Sequence, residues 1–579
     1  MQKRWSLAKP ISLEVKKQNP DLDPVVLQLL WNRGLRQPEE IAAFLTPDWL
    51  TGAHDPWLFS NMRAAVDRVY QALDKGEVIT VHGDYDADGV CGTAVLVSTL
   101  REIIRKIGGD EKKITAFIPH RERDGYGMST ATMDKLDEEY QTKLVITVDC
   151  GISNQPAIDL GRTKNIDTIV CDHHTVPAEL PESAILIHPQ VAGEAYPFKE
   201  LCGTAVGFKL ASALIHEAQK RGLAFPAGQE KWLLDLVAIA TVTDVMPLLG
   251  ENRVLEHFGL KVLNKTRRPG LRKLVEVAGS RFGALDTVSI GFQIGPRLNA
   301  AGRLAEAKLA ADLLLAEDQA EALGLAQQLH QINTERQKAS KEIFEQALAQ
   351  VGELGDRKLI TVVGEDWPAG LVGLVAGKLA SKFYRPAYAI TKSETGYVGS
   401  GRGIEGFNVT EALQAASEYL DKFGGHPQAC GFSTAGPDRL EKLIAKLHET
   451  AEQRLQADDL RPRVEVEAEV DLGEIDWDFY QQIQQLAPFG TANPEPVFMS
   501  SGLSVFGYDL VGAEDKHLRL TVRTKNGKIV KLIGFGFGDR AKDLQRDDLV
   551  DAVYQIDVNT WNGRRELQYK LVDLRKHQI

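Results

Sequence analysis

Acidic side chains follow four short apolar runs of this sequence, each at the point where a buried strand is expected to end. The motifs are His82-Gly83-Asp84-Tyr85-Asp86-Ala87-Asp88-Gly89, Asp149-Cys150-Gly151, Asp172-His173-His174 and Asp244. Such runs, spaced by helical segments, are typical of parallel strands buried on both faces. Because the carboxyl ends of parallel strands share one edge of a sheet, we expect the acids and histidines to converge there.

Several carboxylates at one edge cannot all stay ionised without a counter-charge, so the convergence predicts bound cations. Oxygen-rich ligation with one or two imidazoles suits Mn²⁺ or Mg²⁺ better than a thiolate-bound metal. Two such ions about 3.5–4 Å apart activate a water and stabilise the leaving oxygen in phosphoryl chemistry, and Asp149 is our candidate for the bridging carboxylate. Each acid alone is better explained as a turn or cap residue; only the combination favours a metal centre.

Length and composition bound the class of protein. A chain of 579 residues is expected to hold three or four domains, and 43% hydrophobic with 26% charged residues is typical of a globular protein. The sequence has no long uncharged apolar run and no apolar signal core at its start, so we expect a cytoplasmic protein without a membrane segment.

The cysteine count and the net charge exclude few classes of protein function. The five cysteines form no Cys-x-x-Cys pair, and their odd number argues against a disulfide framework, so we interpret them as small buried residues. A net charge of −12 superficially argues against a polyanionic partner. Local patches decide nucleic-acid binding, however, and bound metals would neutralise part of the excess acid.

The chain divides into segments of different pattern. Residues 1–50 are expected to form short helices, and residues 51–300 a doubly wound α/β domain around a parallel sheet. Residues 301–355, rich in Ala, Leu, Glu, Gln and Lys, predict a long helical connector with one break near Ala316-Glu317-Asp318. Residues 356–457 predict a second, smaller α/β domain.

The last segment, residues 458–579, alternates apolar and charged residues as strands do. Asn526-Gly527 and Asn562-Gly563 are predicted hairpin turns, and a small OB-type β-barrel fits the size. Its basic residues and aromatics suit a single-strand groove, although a solvated sheet face shows the same alternation.

The motif set resembles the DHH phosphoesterase superfamily, with Asp172-His173-His174 as its third motif. Ser400-Gly401-Arg402 and residues 424–431 (GGHPQACG) are similar to that superfamily's second, DHHA1-type domain. Residues 295–303 (GPRLNAAGR), the total length and the C-terminal barrel narrow the resemblance to its single-strand-specific 5′→3′ DNA exonucleases. The resemblance covers nearly the whole chain.

The resemblance implies roles for the acidic motifs. The implied metal ligands are Asp86, Asp88, Asp149, His173 and Asp244. His82, Asp84, Asp172 and His174 are implied ligands or their neighbours, and His174 alternatively contacts the scissile phosphate. His82 matches a ligand of related pyrophosphatases, but Asp84 could displace it. Asp84, Asp149 and His174 are our candidate catalytic residues.

The resemblance also implies a site for the DNA end. Arg121, Arg297, Ser400 and Arg402 are implied to surround a terminal 5′-phosphate, which guanidinium groups suit well. The alternative is that these arginines form ion pairs at the protein surface. Further implied substrate contacts are Tyr126 as a base-stacking group, Asn299, Arg303, Gly401, Gly425 and His426. The alternatives are a packed tyrosine at a turn for Tyr126 and an ordinary tight turn with a satisfied histidine for Gly425 and His426. We expect Arg297 and Arg303 to lie in a turn and Arg402 in a Gly-rich loop.

Three hypotheses follow from these observations. The leading one is a processive, two-metal exonuclease that degrades single-stranded DNA from its 5′ end to 5′-mononucleotides in recombination and repair. The resemblance then implies a single-strand-binding protein and a DNA helicase as partners, and we expect a monomer. The second is a DHH-type phosphodiesterase or pyrophosphatase acting on short oligonucleotides, cyclic dinucleotides or pyrophosphate. The third is an inactive DNA-binding scaffold.

Overall fold

The computed structural model of the protein describes residues 3–121, 123–561 and 563–578. These residues form two units. The large unit is Trp49–Leu460, and the small unit combines Met1–Asp48 with Arg461–Ile579. None of the helices in the described ranges has the length and apolar character needed to cross a bilayer.

The N-terminal segment contains a strand in addition to the predicted helices. Its elements are β1 (Arg4–Leu7), α1 (Leu13–Gln18), α2 (Pro24–Asn32) and α3 (Pro38–Leu45). The strand pairs in parallel with residues 463–466 at the other end of the chain, where Trp5 lies opposite Val464. A four-residue strand whose only partner is that distant carries no local signal, which is why the sequence pattern missed it.

The first part of the large unit alternates strands and helices as predicted. Its elements are α4 (Trp49–Gly52), α5 (Met62–Lys75), β2 (Val78–Gly83), α6 (Ala87–Lys106), β3 (Ile114–Phe117), α7 (Thr130–Glu138), β4 (Thr142–Val148), α8 (Gln155–Thr163), β5 (Asp167–Cys171), β6 (Ala184–Ile187), α9 (Gly203–Lys220), α10 (Leu234–Thr243), α11 (Gly250–Leu263), α12 (Pro269–Val277), α13 (Thr287–Ser289), a π-helical turn (Ile290–Ile294) and α14 (Gly295–Leu304).

The strands of this part form one parallel sheet in the order β3-β2-β4-β5-β6. The chain leaves β2 to one side for β3 and then returns to the other side for β4, so the strand order reverses at β2. Such a switch point opens a crevice at the carboxyl ends of the two strands. The first two acidic motifs follow β2 and β4, so this topology brings them to one crevice. The predicted doubly wound α/β fold is confirmed.

Two sequence predictions for this part were wrong about the type of element. The apolar run before Asp244 is the helix α10, buried along most of its length, and not a fourth strand. A continuous apolar run does not distinguish a buried strand from a buried helix, and ten residues suit a helix better. Arg297 and Arg303 lie on α14 rather than in a turn, because the glycines of that motif are sites of close helix packing.

The rest of the large unit is the connector followed by a second α/β domain. Its elements are α15 (Lys308–Leu315), α16 (Gln319–Val351), β7 (Ile360–Gly364), α17 (Ala369–Phe383), β8 (Ala387–Ser393), β9 (Gly396–Arg402), α18 (Val409–Gln414), β10 (Lys422–His426), β11 (Ala429–Thr434) and α19 (Pro437–Arg454). The predicted break in the connector is present, and Asp318 caps α16 by accepting hydrogen bonds from Ala320 N and Glu321 N, both at 2.9 Å. At 1.5 Å per residue, the 33 residues of α16 span about 50 Å.

The second domain has a mixed sheet in the order β10-β11-β9-β8-β7. Arg402 is the last residue of β9 and pairs with Ala429 of β11, so the predicted Gly-rich loop is a strand. Gly424, Gly425 and His426 likewise belong to β10. Glycines in these strands lie where another group approaches closely; a Cβ on Gly401 would lie 2.5 Å from the Tyr388 ring.

The small unit is completed by a closed barrel, as predicted. Its remaining elements are β12 (Arg463–Val466), β13 (Ala468–Glu469), α20 (Trp477–Gln484), β14 (Phe498–Val511), β15 (His517–Arg523), β16 (Ile529–Gly534), β17 (Leu549–Trp561) and β18 (Arg564–Lys576). The order β14-β15-β16-β18-β17 closes through pairing of β17 with β14. The predicted turn at Asn526-Gly527 joins β15 to β16, with Gly527 at φ 85°. In the other predicted turn, Asn562 lies outside the described residues.

A buried ion pair ties α9 to α11 inside the large unit. Lys209 Nζ lies 2.6 Å from Glu251 Oε1, with side chains 2% and 0% exposed, and also donates to His54 O at 2.7 Å. Glu251 accepts further hydrogen bonds from His54 N and from the Tyr196 hydroxyl, both at 2.8 Å. The buried carboxylate therefore has an ammonium group, a backbone N–H and a hydroxyl as partners inside the core.

We expect Lys209→Met to destabilise the large unit by about 3–5 kcal/mol, because it leaves the Glu251 carboxylate buried without its cation. Urea unfolding followed by tryptophan fluorescence measures the loss. Lys209→Met combined with Glu251→Gln should recover much of it. Lys75→Met, which removes an exposed lysine, should change the free energy of unfolding by less than about 1 kcal/mol. An equally small effect of Lys209→Met would contradict the assigned importance of this pair.

Candidate metal centre

The first acidic motif is folded into a tight turn between β2 and α6. Asp86 caps α6, and its Oδ1 accepts hydrogen bonds from Asp88 N at 2.9 Å and Gly89 N at 3.2 Å. A Cβ on Gly89 would lie 2.3 Å from Asp84 N, so only glycine permits this approach. The turn brings the carboxylates of Asp84, Asp86 and Asp88 to the end of one strand.

The amino end of α9 holds the Asp88 carboxylate. Asp88 Oδ2 accepts from Gly203 N and Oδ1 from Thr204 N, both at 2.7 Å. A Cβ on Gly203 would lie 2.5 Å from the Asp149 Cβ, so the same helix end also contacts the second motif. The free N–H groups and the positive dipole end of a helix stabilise negative charge. Asp88 is therefore held rigidly and keeps lone pairs for a cation.

Asp149 follows β4 in a strained backbone conformation. Its φ is +62°, a region that non-glycine residues rarely adopt, and its N–H donates to Cys171 O at 3.0 Å. Asp149 Oδ1 lies 3.1 Å from His173 Nε2 and 3.8 Å from His174 Nδ1. Strain of this kind is retained where the surroundings require a side chain in one place.

Asp172 organises the two histidines of the third motif. Its Oδ1 accepts from the backbone N–H groups of His173 at 2.7 Å and His174 at 3.2 Å, and lies 2.8 Å from His174 Nδ1. Its Oδ2 accepts from Ile152 N at 3.0 Å. Because both of its carboxylate oxygens accept hydrogen bonds, Asp172 holds the two neighbouring histidines in a fixed orientation.

The two histidines differ in protonation because their surroundings differ. Burial works against a charged His174, but the hydrogen bond and charge of Asp172 outweigh it and raise the pKa of His174 to about 9. Asp172 is buried, yet the same contact lowers its pKa to about 2. Burial lowers the pKa of His173, which leaves it as the neutral imidazole that ligates metals.

Candidate ligand atoms assemble into three overlapping groups, and within each group they lie no more than 4.8 Å apart. The groups are Asp84 with Asp86 and Asp149, Asp88 with His173 and Asp244, and Asp149 with His173 and His174. Asp149 belongs to two of them, which is the position expected of a bridging carboxylate. Asp244 reaches the site as the C-cap of α10, and its Oδ2 lies 3.6 Å from His173 Nε2.

His82 is absent from all three groups formed by the described residues, whereas Asp84 is present. The His82 ring is buried, stacks on Phe117 with centroids 5.3 Å apart, and has Nδ1 3.6 Å from Cys150 Sγ. Its Nε2 has no hydrogen-bond partner, and burial lowers its pKa to about 4. Between the two alternatives left open by the sequence, the geometry favours Asp84 as the ligand.

The carboxylates of the cluster are buried and repel one another, which favours the binding of cations. Burial, followed by the charges of neighbouring acids, raises the pKa of Asp84, Asp86 and Asp149, and raises that of Asp244 to about 9. Asp84 Oδ1 is buried without a hydrogen-bond partner. Carboxylate oxygens and neutral imidazole are the donors that Mn²⁺ and Mg²⁺ take, so these residues fit such ions.

The raised pKa values predict how pH affects the metal-free protein. A carboxylate with a raised folded-state pKa stabilises the fold most at pH values below its unfolded pKa, and this stability is lost as pH rises through the folded pKa. We therefore expect the Tm of the metal-free protein to fall from about pH 6 to about pH 9. Excess Mg²⁺ should raise the Tm more at the alkaline end, where it replaces protons that have left.

Differential scanning fluorimetry with EDTA or Mg²⁺ across this range tests the prediction. Asp244→Asn should flatten the dependence on pH in EDTA, since it removes one of the repelling charges. Asp67→Asn, at an exposed site on α5, should leave the dependence unchanged. A metal-free Tm that does not vary with pH, together with an equal Mg²⁺ effect at both ends, would contradict the assigned charge repulsion.

Arg121 lies next to the acidic loop, and Arg402 lies at the end of β9 against α17. The Arg121 guanidinium lies 5.0 Å from the centroid of the Tyr85 ring, and its charge acts on the Asp84 carboxyl by lowering a pKa that burial raises. Arg402 Nη1 donates to Ser400 Oγ at 3.0 Å and to Gly401 O at 2.8 Å. A Cβ on Gly373 of α17 would lie 2.9 Å from Arg402 Nη2, so α17 packs closely on this group.

The α14 helix connects the acidic loop to the second domain. A Cβ on Gly302 would lie 2.3 Å from Tyr85 O, and Asn299 Oδ1 accepts from Ala87 N at 2.7 Å. Asn299 therefore caps the first turn of α6, a structural role beside the implied substrate contact. Arg303 Nη1 donates to Gly370 O at 3.0 Å. Arg297 lies further along, with Nε 3.2 Å from His330 Nδ1.

The other predicted substrate residues make fewer contacts with the acidic cluster. The Tyr126 hydroxyl lies 3.2 Å from His174 Nε2, and its side chain is half exposed. Gly425 has φ 138°, and a Cβ there would lie 2.3 Å from Ala429 O. His426 is exposed at the end of β10, and within the described ranges no hydrogen bond joins its ring to the acidic cluster.

One cationic residue was missed by the sequence analysis. Arg336 lies on α16, its charge lowers the pKa of Arg297 and Arg303 in addition to burial, and its Nε is buried without a hydrogen-bond partner. A signal was present: Asn333, Arg336 and Ser340 put polar groups at three- and four-residue spacing on a face where apolar residues are expected.

Comparison with known proteins agrees with this architecture. Models of the DHH family N-terminal domain, the DHHA1 domain and the RecJ OB domain match residues 78–241, 355–453 and 466–573. The single-stranded-DNA-specific exonuclease RecJ of Bacillus subtilis is 34% identical over 98% of this chain and 70% of its own length. The Escherichia coli protein of that name is 31% identical over 95% of each.

Solved structures give the same result. The structure of Thermus thermophilus RecJ in complex with Mn²⁺ aligns with a TM-score of 0.83 at 29% identity, over all of this chain and 80% of that one. The Mg²⁺ complex of the same protein aligns with a TM-score of 0.78 at 28% identity.

Proposed function

This chain belongs to the RecJ family of single-stranded-DNA-specific exonucleases, and from that membership we propose that it hydrolyses single-stranded DNA from the 5′ end to 5′-mononucleotides. The observation that carries the proposal is the acidic cluster, with Asp149 shared between two ligand groups and the Arg121 guanidinium next to the acidic loop. We assign Mn²⁺ or Mg²⁺ as cofactor, two ions per site, with Asp84, Asp86, Asp88, Asp149, His173 and Asp244 as ligands.

The bound ions supply an activated water and charge stabilisation for the leaving oxygen. The protein supplies position and charge. His173 and the carboxylates hold their geometry through backbone hydrogen bonds, so little reorganisation is needed when substrate binds. His174, protonated through Asp172, presents a cation to the scissile phosphate. Its Nδ1 is engaged by Asp172, which leaves Nε2 for the phosphate once the Tyr126 hydroxyl moves aside.

The end of the strand is held by the arginines. Arg121, Arg297 and Arg402, with Ser400, form a pocket for a terminal 5′-phosphate, and the charges of Arg121, Arg402 and Asp86 all act on the nearby Arg303. Forked guanidinium groups bind a phosphate monoester through paired, charge-assisted hydrogen bonds. Gly401, Gly425 and His426 form the margin of the same pocket, and Tyr126 stacks on a base. Hydrolysis next to a held 5′ end releases one nucleotide.

One assay tests both the direction of degradation and the preference for a single strand. We expect a 5′-phosphorylated single strand with a 5′ label to lose that label first when incubated with Mn²⁺, and a blunt duplex of the same sequence to persist. A dinucleotide should turn over more slowly than the long strand. Release of a 3′ label first, or equal attack on duplex, would contradict the proposal. Faster turnover of pyrophosphate or a cyclic dinucleotide would favour the shorter substrates of other DHH proteins.

The cellular setting is part of the proposal. We place the protein in the cytoplasm as a monomer acting in recombination and repair, beside a single-strand-binding protein and a DNA helicase. We also propose the division into residues 1–50, 51–300, 301–355, 356–457 and 458–579. Size-exclusion chromatography with light scattering tests the monomer, and pull-down with purified single-strand-binding protein tests that partner.

A further inference from the structure

Three helices of the large unit bring two further basic side chains to Arg297, which the family resemblance assigns to the terminal-phosphate pocket. Arg297 of α14 lies 3.2 Å from His330 of α16 through Nε and Nδ1. Lys378 of α17 donates from Nζ to Ser340 Oγ of α16 at 2.9 Å. Arg336 lies on α16 between those two contacts, so the three cations converge on one face of α16. We call Arg297, Arg336 and Lys378 the distal cation cluster.

The distal cation cluster has no acidic counterpart. Among the described residues, none of its members has a carboxylate oxygen within 4.0 Å, whereas other cations of the large unit, such as Arg105 and Lys308, pair with acids. Arg336 Nη2 donates to Asn333 Oδ1 at 2.8 Å, while its Nε is buried without a partner. Burial and the charge of Arg336 lower the pKa of Arg297, of Arg303 and of Lys378. Uncompensated cations that repel one another favour an anion between them.

The α17 helix joins the cluster to the terminal-phosphate pocket. Arg303 Nη1 donates to Gly370 O at the start of α17 at 3.0 Å, and a Cβ on Gly373 of the same helix would lie 2.9 Å from Arg402 Nη2. Lys378, which is exposed, lies further along this helix. The same helix therefore contacts arginines beside the proposed pocket and carries a member of the distal cation cluster.

We propose that the distal cation cluster is a second anion site, which binds the additional phosphates of an oligophosphate whose first phosphate occupies the Arg121–Arg402 pocket. The inference rests on the proposed function for the position of that first phosphate. Two sources present this chemistry: a strand with a 5′-triphosphate, and a free oligophosphate ion. Guanidinium and ammonium groups in a partly buried site bind either through charge-assisted hydrogen bonds.

The test compares the binding of strands that differ only at the 5′ end. Three 3′-fluorescein-labelled single strands carry a 5′-hydroxyl, 5′-monophosphate or 5′-triphosphate, and their dissociation constants are measured by anisotropy in EDTA. We expect the wild-type protein to bind the triphosphate strand at least about tenfold more tightly than the monophosphate strand, from charge-assisted hydrogen bonds. Arg336→Gln and, independently, Lys378→Gln should remove most of this difference and leave the monophosphate strand within about twofold. Lys338→Gln, at an exposed site on α16, is the matched control.

Competition with inorganic tripolyphosphate distinguishes the two sources. Tighter binding of the triphosphate strand that depends on Arg336 supports the strand end as ligand; displacement by tripolyphosphate alone, also dependent on Arg336, supports the free ion. Equal affinities for all three strands with no effect of tripolyphosphate would overturn the site. An equal loss for every strand in both variants would also overturn it. Binding in EDTA does not require cleavage, so failure of the proposed activity would be seen separately, in the labelled-strand assay.

Discussion

Asp149→Asn should reduce single-turnover cleavage of a 5′-phosphorylated strand by on the order of 10⁴-fold or more in Mn²⁺, the scale seen when a member of a catalytic unit is removed. Asparagine keeps the size of the side chain but removes the charge that two ligand groups share. Strand affinity should change by less than about threefold, because the arginines proposed to hold the phosphates are separate residues. Rapid-quench cleavage and anisotropy measure the two quantities.

A second readout separates loss of metal ligation from loss of fold. Without metal, Asp149→Asn should raise the Tm at alkaline pH, since it removes one carboxylate from a cluster whose burial and mutual repulsion raise its pKa values. Titration calorimetry should show weaker Mn²⁺ binding. Asp67→Asn should match the wild type in all four measurements: cleavage, strand affinity, Tm and Mn²⁺ binding. Retained cleavage in Asp149→Asn would exclude the bridging role and leave the cluster to be explained by Asp84, Asp86 and Asp88.

Arg402→Gln should weaken binding of a 5′-phosphorylated strand by about 10- to 100-fold, the range for hydrogen bonds to a charged group. The preference for a 5′-phosphate over a 5′-hydroxyl should fall towards one. Arg402→Lys should recover only part of this preference, because an ammonium group lacks the paired donors of guanidinium. Affinity for the two strands is measured by anisotropy, and initial cleavage rates give the same ratio.

Arg454→Gln is the matched control for this prediction. Arg454 lies at the end of α19, in the same domain, and its exposed side chain pairs with Glu411 at 3.1 Å. Its loss should leave the end preference intact. An unchanged dissociation constant and an unchanged preference in Arg402→Gln would remove Arg402 from the terminal-phosphate pocket.

The sequence predicted which acids and histidines come together because local patterns encode their positions. The apolar runs before Asp86, Asp149 and Asp172 each carry a strand signal and an acidic end, and parallel topology brings such ends together. Asp244 was placed correctly beside them although its element was misassigned. A buried helix and a buried strand are both continuously apolar, so the pattern could not separate them.

Other features depend on contacts that no local pattern records. The choice between His82 and Asp84 follows from the direction of two side chains that leave the same strand end. The cap that Asn299 provides to Ala87, and the pairing of β1 with β12, join residues hundreds of positions apart. Arg336 looked like one charged residue among many on a long helix; its significance lies in which residues α16 contacts.

The close approach of Gly302 to Tyr85 has a consequence for the size of what the protein releases. Backbone contact, rather than a flexible side chain, sets how far Arg303 lies from the loop that carries Asp84 and Asp86. A strand whose 5′ end is held by the proposed terminal-phosphate pocket and which is cut at the acidic cluster is then cut at a constant distance from that end. The packing of α14 therefore sets the length of the released product.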